Sequence, residues 1–458
     1  MNDETSHEDT LLRGTRQFVY RSVYLTAQAF ARVEASSGIV LLVAAIVALI
    51  WANSPWHTSY LEFWHTAVHL DAHIFTIHLD LQDWVNDGLM AIFFFLAGLE
   101  IKRELVHGEL STPRRALLPA AAALGGMIAP ALIYTAFNAG GSGARGWGIP
   151  MATDIAFALG VLSMLSRRVP FSVRIFLLAL AIADDIGAII VIAFFYTSQI
   201  NFTALGIAAL VLFGIYVMNR WGVRNLTLYV VAGAFFWIAT FESGIHPTIA
   251  GVLLGLMTPA SHYFDPARFE STASDLAQRF GLAHAAGDLE EQESILGQME
   301  DLSEGTEAPL ERLERKLVNW VSFLIVPLFA LANAGVHISS EVANGALESP
   351  ISHGATLGLV LGKPFGIMLF TFLAVRLHLC DMPAGASWRH IFGIGLLGGI
   401  GFTVSLLITD LAFTNALQAD EARLGVLVGS TIAGIIGFVF LWFTGSNKET
   451  APASAPPG

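Results

Sequence analysis

Two adjacent acidic residues, Asp184 and Asp185, stand in the middle of the apolar run Phe171 to Phe195, between Leu178, Ala179, Leu180 and Ile186, Ala188, Ile189, Ile190. Ionisable groups are costly inside a bilayer, so each one within a span is a functional candidate. Successive helix residues point about 100° apart, so the two carboxylates cannot both aim squarely at one small ligand. One is free to face a cation while the other faces a different wall or a buried partner. Two like charges in a low-dielectric medium resist joint ionisation, so such a site can hold a proton and exchange it for an arriving cation. The competing reading is a structural pair locked to a lysine or to backbone amides.

Three further places carry charge where hydropathy predicts none. Asp154 sits in Gly148-Ile149-Pro150-Met151-Ala152-Thr153-Asp154-Ile155-Ala156-Phe157, where the glycines and Pro150 disfavour a continuous helix. A counterpart lies at Gly393, Gly395, Gly398, Gly399, Gly401 and Phe402-Thr403. Broken spans expose helix ends whose amides and carbonyls can coordinate or balance an ion; the alternative is that these glycines only allow close helix packing. Lys363, in Leu359-Val360-Leu361-Gly362-Lys363-Pro364, is the one basic residue deep in a span. It is expected to meet a carboxylate or a helix end, as part of the exchange chemistry or as a purely structural partner. Glu100 and Glu104 share a helix face beside Lys102 and Arg103, either as a cation funnel and pH sensor or as an ordinary interfacial cluster. His246, before Pro247, can titrate near neutrality, although a lone histidine there is more often structural.

The elements that must position these residues are membrane helices. The 458 residues are 54% hydrophobic and 13% charged, with a mean hydropathy of +0.62, whereas soluble domains draw about 25% of their residues from Asp, Glu, Lys and Arg. The stretches Gly38 to Trp51, Ala204 to Met218, Gly251 to Met257 and Val426 to Phe443 are free of charge, and several wider runs around them reach the roughly 20 residues that cross a bilayer as helix. Continuous apolarity argues against a barrel, whose strands alternate. The expected fold is all-α, with spans near residues 33–52, 83–106, 117–138, 146–166, 172–196, 203–219, 225–241, 245–258, 317–338, 353–375, 391–412 and 422–444.

With the N-terminus inside, 21 of the 24 basic residues fall in cytoplasmic segments, leaving Arg145, Arg423 and the intramembrane Lys363. A miscounted span would invert every later loop and destroy that bias, so twelve spans with both termini inside are expected. The chain then divides into a cytoplasmic segment 1–32, spans one to eight over 33–258, an acidic cytoplasmic loop 259–316, spans nine to twelve over 317–444 and a disordered tail 445–458. Ser261 to Arg315 holds thirteen Asp or Glu against four Arg and dominates the net charge of −13. Its scattered Leu276, Phe280, Leu282, Leu289, Ile295, Leu296 and Met299 suit one or two short surface helices, in a linker or in a regulatory or partner-binding segment. An acidic chain gives no support to nucleic-acid binding, the single Cys380 cannot form an intrachain disulfide, and the polar N-terminus does not have a signal-peptide layout.

Six ordered motifs resemble the bacterial NhaA-type sodium/proton antiporters. They are Phe-Leu-Ala-Gly-Leu-Glu-Ile-Lys-Arg-Glu-Leu at 95–105, Ala-Thr-Asp-Ile-Ala-Phe at 152–157, Ala-Asp-Asp-Ile-Gly-Ala at 183–188, Pro-Leu-Phe-Ala-Leu-Ala-Asn-Ala-Gly-Val at 327–336, Gly-Lys-Pro-Phe-Gly at 362–366 and Gly-Ile-Gly-Phe-Thr-Val-Ser at 399–405. The resemblance spans about residues 30–260 and 310–445. It implies a multi-pass protein of the bacterial inner membrane with inverted three-helix repeats and two crossing discontinuous spans. It implies that Asp184 and Asp185 are the essential acidic pair, with Asp185 the more direct Na+ or Li+ ligand, Thr153 and Asp154 at the crossing, and Lys363 opposing the acidic groups. Glu100, Glu104, Glu314 and His246 match positions tied to pH sensing. The chain departs from the enterobacterial pattern at Arg315 and Val318, where a histidine pair is expected, and in the long acidic loop.

The expected activity is electrogenic, pH-regulated exchange of internal Na+ or Li+ for external H+, a transport function rather than an enzymatic one. No cofactor is expected, and no GxxxxGK[ST] loop supports an ATP-driven pump. The partners expected are monovalent cations, protons and lipid, with room left for a homodimer. The rivals are exchange of another cation or an organic solute, an intramembrane aspartyl protease, and a non-transporting structural protein.

Overall fold

The structure, a computed structural model, describes residues 36–72, 75–165, 168–197, 200–223, 226–261 and 268–444. The segment 1–32, the tail 445–458, Arg167 and Arg224 lie outside the described residues. Among the described residues, seven helical segments are long and apolar enough to cross a bilayer: Pro113–Asn138, Ala144–Met164, Phe171–Phe195, Phe202–Arg220, Pro309–Asn333, Pro350–Arg376 and Ala416–Thr444. Two bent pairs, Ser36–Ala52 with His57–Trp64 at 116° and Trp388–Gly398 with Phe402–Ala412 at 46°, bring the number to nine if each is one span. Leu226–Glu242 and Thr248–Met257 are shorter apolar helices, and Met90–Val106 is apolar as far as Leu99 and carries Glu100, Lys102, Arg103 and Glu104 beyond it. Ile207, Leu210 and Phe213 on one helix, and Ile190, Phe194 and Phe195 on another, are exposed. Apolar side chains all round a helix suit a hydrocarbon solvent.

One antiparallel hairpin, Ala67–Ala72 with Phe75–Asp80, pairs Ala67 with Asp80 and Ala72 with Phe75. A reading based on long apolar runs has no means of seeing strands of six residues, so this addition to a helical protein was not anticipated.

The chain forms two compact units. The first comprises residues 1–86, 113–192 and 322–458. Its core gathers Leu162, Val173, Leu177, Ile391, Ile394 and Leu397. Helices Pro113–Asn138 and Pro350–Arg376 approach so closely that a Cβ on Gly366 would lie 2.7 Å from the Cβ of Ala129 and from the carbonyl carbon of Gly125. Only glycine permits that backbone approach. Within Pro350–Arg376, residues Gly358–Gly362 form a π-helical turn, and the Lys363 N–H donates five residues back to Gly358. Pro364 explains its place, because proline has no N–H to return to the carbonyl four residues earlier.

The second unit comprises residues 87–112 and 193–321. Helix Met90–Val106 packs against Thr248–Met257 through Gly98 and Gly255, where a Cβ on either would lie 2.6 Å from a backbone oxygen of the other helix. Phe202–Arg220 and Leu226–Glu242 share a cluster of Ala208, Ile215, Phe236 and Ala239. The acidic segment contains two helices, Phe269–Ala286 and Leu289–Thr306, closed over Leu276, Ala283 and Ile295 with Phe280, Met299 and Leu302 beside them. Gly287 ends the first helix in the left-handed conformation, φ 72°, and Asp288 caps the second by accepting the Glu291 N–H. These are the stop and start signals their residue types favour.

Candidate ion site

Two interruptions in the first unit face each other. A 3-10 helix ends at Met151, residues 152–154 are extended, and a new helix begins at Ile155. Helix Trp388–Gly398 stops before Gly399–Gly401, and Phe402–Ala412 follows. Backbone groups freed by the breaks find partners across the crossing: the Asp154 N–H donates to the Ile400 carbonyl at 2.6 Å, and the Ile149 carbonyl accepts from the Ser405 hydroxyl at 2.7 Å. Buried backbone groups must be paired, and here each break supplies the other's partners.

Asp154 caps two helices at once. Its Oδ1 accepts the Phe157 N–H at 3.0 Å, at the start of its own helix. Its Oδ2 accepts the Thr403 N–H at 3.1 Å and the Thr403 hydroxyl at 2.8 Å, at the start of the other. A carboxylate answers the partial positive charge of both helix N-termini. The opposite sign is met nearby. The Thr153 hydroxyl donates to the Gly398 carbonyl at 2.9 Å, at the C-terminal end of its helix, and accepts from Lys363 Nζ at 2.9 Å.

Lys363 also donates to Asp184 Oδ2 at 2.5 Å, and the two side chains are 1% and 2% exposed. An ammonium this deep is sustained only by such a charged partner. Asp184 Oδ1 is buried and finds no hydrogen-bond partner among the described residues. Asp185, one residue further along the same helix, is buried as well. The five residues that the sequence singles out, Thr153, Asp154, Asp184, Asp185 and Lys363, therefore all lie buried in one unit, and Lys363 directly links Thr153 with Asp184.

The four residues read as pH-sensing lie in the other unit, at two separate places. Glu314, on helix Pro309–Trp320, pairs with Arg103, which also lies 3.7 Å from Glu104. Glu100 is within electrostatic reach of all three. His246 sits instead 3.3 Å from Asp87, with its Nδ1 2.7 Å from Thr248 Oγ1. Asp87 precedes Glu100 by thirteen residues of one helical run, a rise of about 20 Å.

Sequence reasoning missed the amides at the far end of the first unit. Asn333 is 1% exposed, exchanges hydrogen bonds with Asn86 and accepts one from Gln82. An amide inside an apolar run was the available signal, since Asn333 interrupts Ala-Leu-Ala-Asn-Ala-Gly.

Comparison with known proteins identifies the family. Residues 28–441 match the family described as Na+/H+ antiporter 1. A protein of Sorangium cellulosum named Na(+)/H(+) antiporter NhaA 2 is 46% identical over 417 residues, covering 91% of this chain and 89% of the relative. Na(+)/H(+) antiporter NhaA of Syntrophobacter fumaroxidans is 44% identical over 432 residues, covering 93% and 92%. Its namesake in Rhodopirellula baltica is 46% identical over 415 residues, covering 91% and 93%. Such proteins are secondary transporters rather than enzymes. With a family match across most of its length and relatives this similar over nine-tenths of it, this multi-pass membrane chain belongs to the NhaA family of Na+/H+ antiporters.

Proposed function

We propose that the chain extrudes Na+ or Li+ in exchange for external H+, by alternating access around Asp184 and Asp185. The observation that carries this reading is the Lys363–Asp184 contact, with the unpartnered Asp184 Oδ1 beside it. Asp184 is engaged by the Lys363 ammonium, and Asp185, buried one residue further along the same helix, is the more direct cation ligand, with Asp184 and Thr153 completing its surroundings. Asp154 has hydrogen bonds to both oxygens and acts as the fixed counter-charge of the two helix ends. Na+ and protons compete for the same buried carboxylates, so loading one releases the other. The inward proton gradient drives the cycle, and more protons than sodium ions cross per turn, which makes the exchange electrogenic.

On the same reading, the two facing interruptions are the crossing of inverted three-helix repeats. The nine spans counted with the bent pairs, plus Leu226–Glu242, Thr248–Met257 and the helical run through Met90–Val106, make twelve. Positively charged loops then put both termini inside, in a bacterial inner membrane. The acidic segment 259–316 faces the cytoplasm, and the chain can assemble as a homodimer. Glu100, Glu104 and Glu314 around Arg103, together with His246, set the pH response.

Everted vesicles carrying the chain, monitored with a pH-sensitive dye, test the reading. Addition of Na+ or Li+ should collapse the respiratory proton gradient, and Asp185→Asn should abolish that response. A variant that exchanges ions like the parent would sink the mechanism.

A further inference from the structure

Helix Phe402–Ala412 is held at both ends. At its first turn Thr403 grips Asp154 through hydroxyl and backbone. At its last turn Asp410 joins a second charge cluster. Arg423, on helix Ala416–Thr444, donates from Nη2 to Asp410 Oδ1 at 2.7 Å and from Nη1 to Asp420 Oδ1 at 3.1 Å. Asp410 Oδ2 accepts from Asn86 Nδ2 at 3.2 Å, and Asn86 Oδ1 accepts from Asn333 Nδ2 at 2.7 Å. The side chains of Asp410, Asp420 and Arg423 are 17%, 26% and 19% exposed. Apolar residues would fill that volume at lower desolvation cost, so stability alone is a poor reason for the cluster. A planar guanidinium that serves two carboxylates does fix geometry, because its donors point in set directions. Seven residues separate Thr403 from Asp410, so the two attachments ride on one helical rod about 10 Å apart.

We propose that Asp410 and Arg423 are a positioning pair for the ion site: they set the rotation and axial position of helix Phe402–Ala412 and so hold Thr403 on Asp154. The role rests on the transport reading above only for its kinetic consequence. Asp410→Asn weakens the clamp without removing its hydrogen-bonding shape, and Arg423→Lys keeps the charge but loses the fork. Thr403→Val removes the hydroxyl at the other end of the rod.

The test uses the full chain in everted vesicles and reads the apparent KM for Na+, which does not depend on the amount of folded protein. Asp410→Asn should raise KM roughly tenfold, the size of one lost charge-assisted hydrogen bond, and Arg423→Lys should raise it less. The double variant Thr403→Val/Asp410→Asn should be no worse than the poorer single variant, since both act on one contact. Additive effects, or an unchanged KM in Asp410→Asn, would overturn the pairing. A second readout is independent of transport: deuterium uptake by the purified protein over residues 399–406 should quicken in Asp410→Asn. Unchanged uptake there overturns the proposal even if transport falls. Failure of the ion-site reading shows separately, as an Asp185→Asn variant that still exchanges Na+.

Discussion

Lys363 reaches Asp184 and Thr153 with one ammonium group, at 2.5 Å and 2.9 Å, in a place almost closed to solvent. Removing one member of a buried ion pair strands the other, at a cost of about 3–5 kcal/mol. Lys363→Ala should therefore lower the thermal stability of the purified protein sharply. Lys363→Gln combined with Asp184→Asn, which leaves neither charge alone, should recover most of that stability and still fail to exchange Na+. Thermal unfolding in detergent, read beside vesicle transport, separates the two effects.

Asp154 caps two helices, so its loss is felt twice. A helix cap is worth about 1 kcal/mol, so Asp154→Ala should cost about 2 kcal/mol, whereas Asp154→Asn keeps the acceptor oxygen that faces Thr403 or Phe157 and should cost about half. Comparing the melting temperatures of the two variants checks this. Equal losses would mean that charge, and not capping, is what the breaks require.

Gly366 lies against the backbone of Gly125, which cannot rotate out of the way as a side chain would. Gly366→Val should overpack the junction by about 3 kcal/mol or more, lowering folded yield. Gly281, with nothing within 4 Å of an added Cβ, is the contrast: Gly281→Ala should stabilise its helix by up to about 1 kcal/mol. Yield and thermal stability of the two variants should move in opposite directions.

The acidic helical hairpin has its own small core, in which Ile295 is fully buried. Ile295→Asp should open that hairpin, seen as new protease cleavage between residues 269 and 306, while the maximal rate of Na+ exchange stays at the parental level. Loss of exchange would make the hairpin part of the transport cycle. Deleting residues 268–306 and following activity against internal pH asks the regulatory question: a shifted profile would assign the hairpin to pH control.

Cys380 lies in the turn after Arg376, and burial, helped by the neighbouring Asp381, pushes its thiol above the ordinary value. The thiolate is the reactive form, so a raised value leaves less of it at any given pH. Maleimide labelling of the native chain should be slow near neutrality and accelerate only in alkaline buffer, whereas the unfolded chain labels readily.

The helix carrying Asp184 was legible because the charge lies within a mostly apolar helix of 25 residues, and the breaks were legible because glycines cluster at both, with Pro150 at the first. Their partnership was not. Thr403 and Asp154 are 249 residues apart in the chain, and Lys363 and Asp184 are 179 apart, so local pattern carries no trace of either contact. The residues suggested that Lys363 meets a carboxylate or a helix end; the structure shows it bonded to a carboxylate and, through Thr153, linked to a helix end. Asn86, Asn333 and Gln82 escaped notice because a neutral amide barely perturbs hydropathy, although burying one demands a partner. In the acidic segment, the scattered apolar residues suggested one or two helices, whereas the boundary at Gly287-Asp288, a left-handed stop followed by a cap, went unread.

The π-helical turn before Lys363 also settles a matter of phase. Gly354, Gly358, Gly362 and Gly366 recur every fourth residue; added Cβ atoms on Gly354, Gly362 and Gly366 would meet Tyr134, Pro130 and Gly125 on helix Pro113–Asn138, and one on Gly358 would meet Pro150 first, with the Pro130 carbonyl 3.4 Å away. In a plain α-helix each step of four overshoots a full turn by about 40°, so the stripe would wander off its neighbour by about 120° across the four. One wider turn winds that drift back. The glycines and the wide turn thus work as a vernier, in which a repeat of four is kept in register with a coil of 3.6, and Lys363 emerges at the point where the two scales are brought back into line.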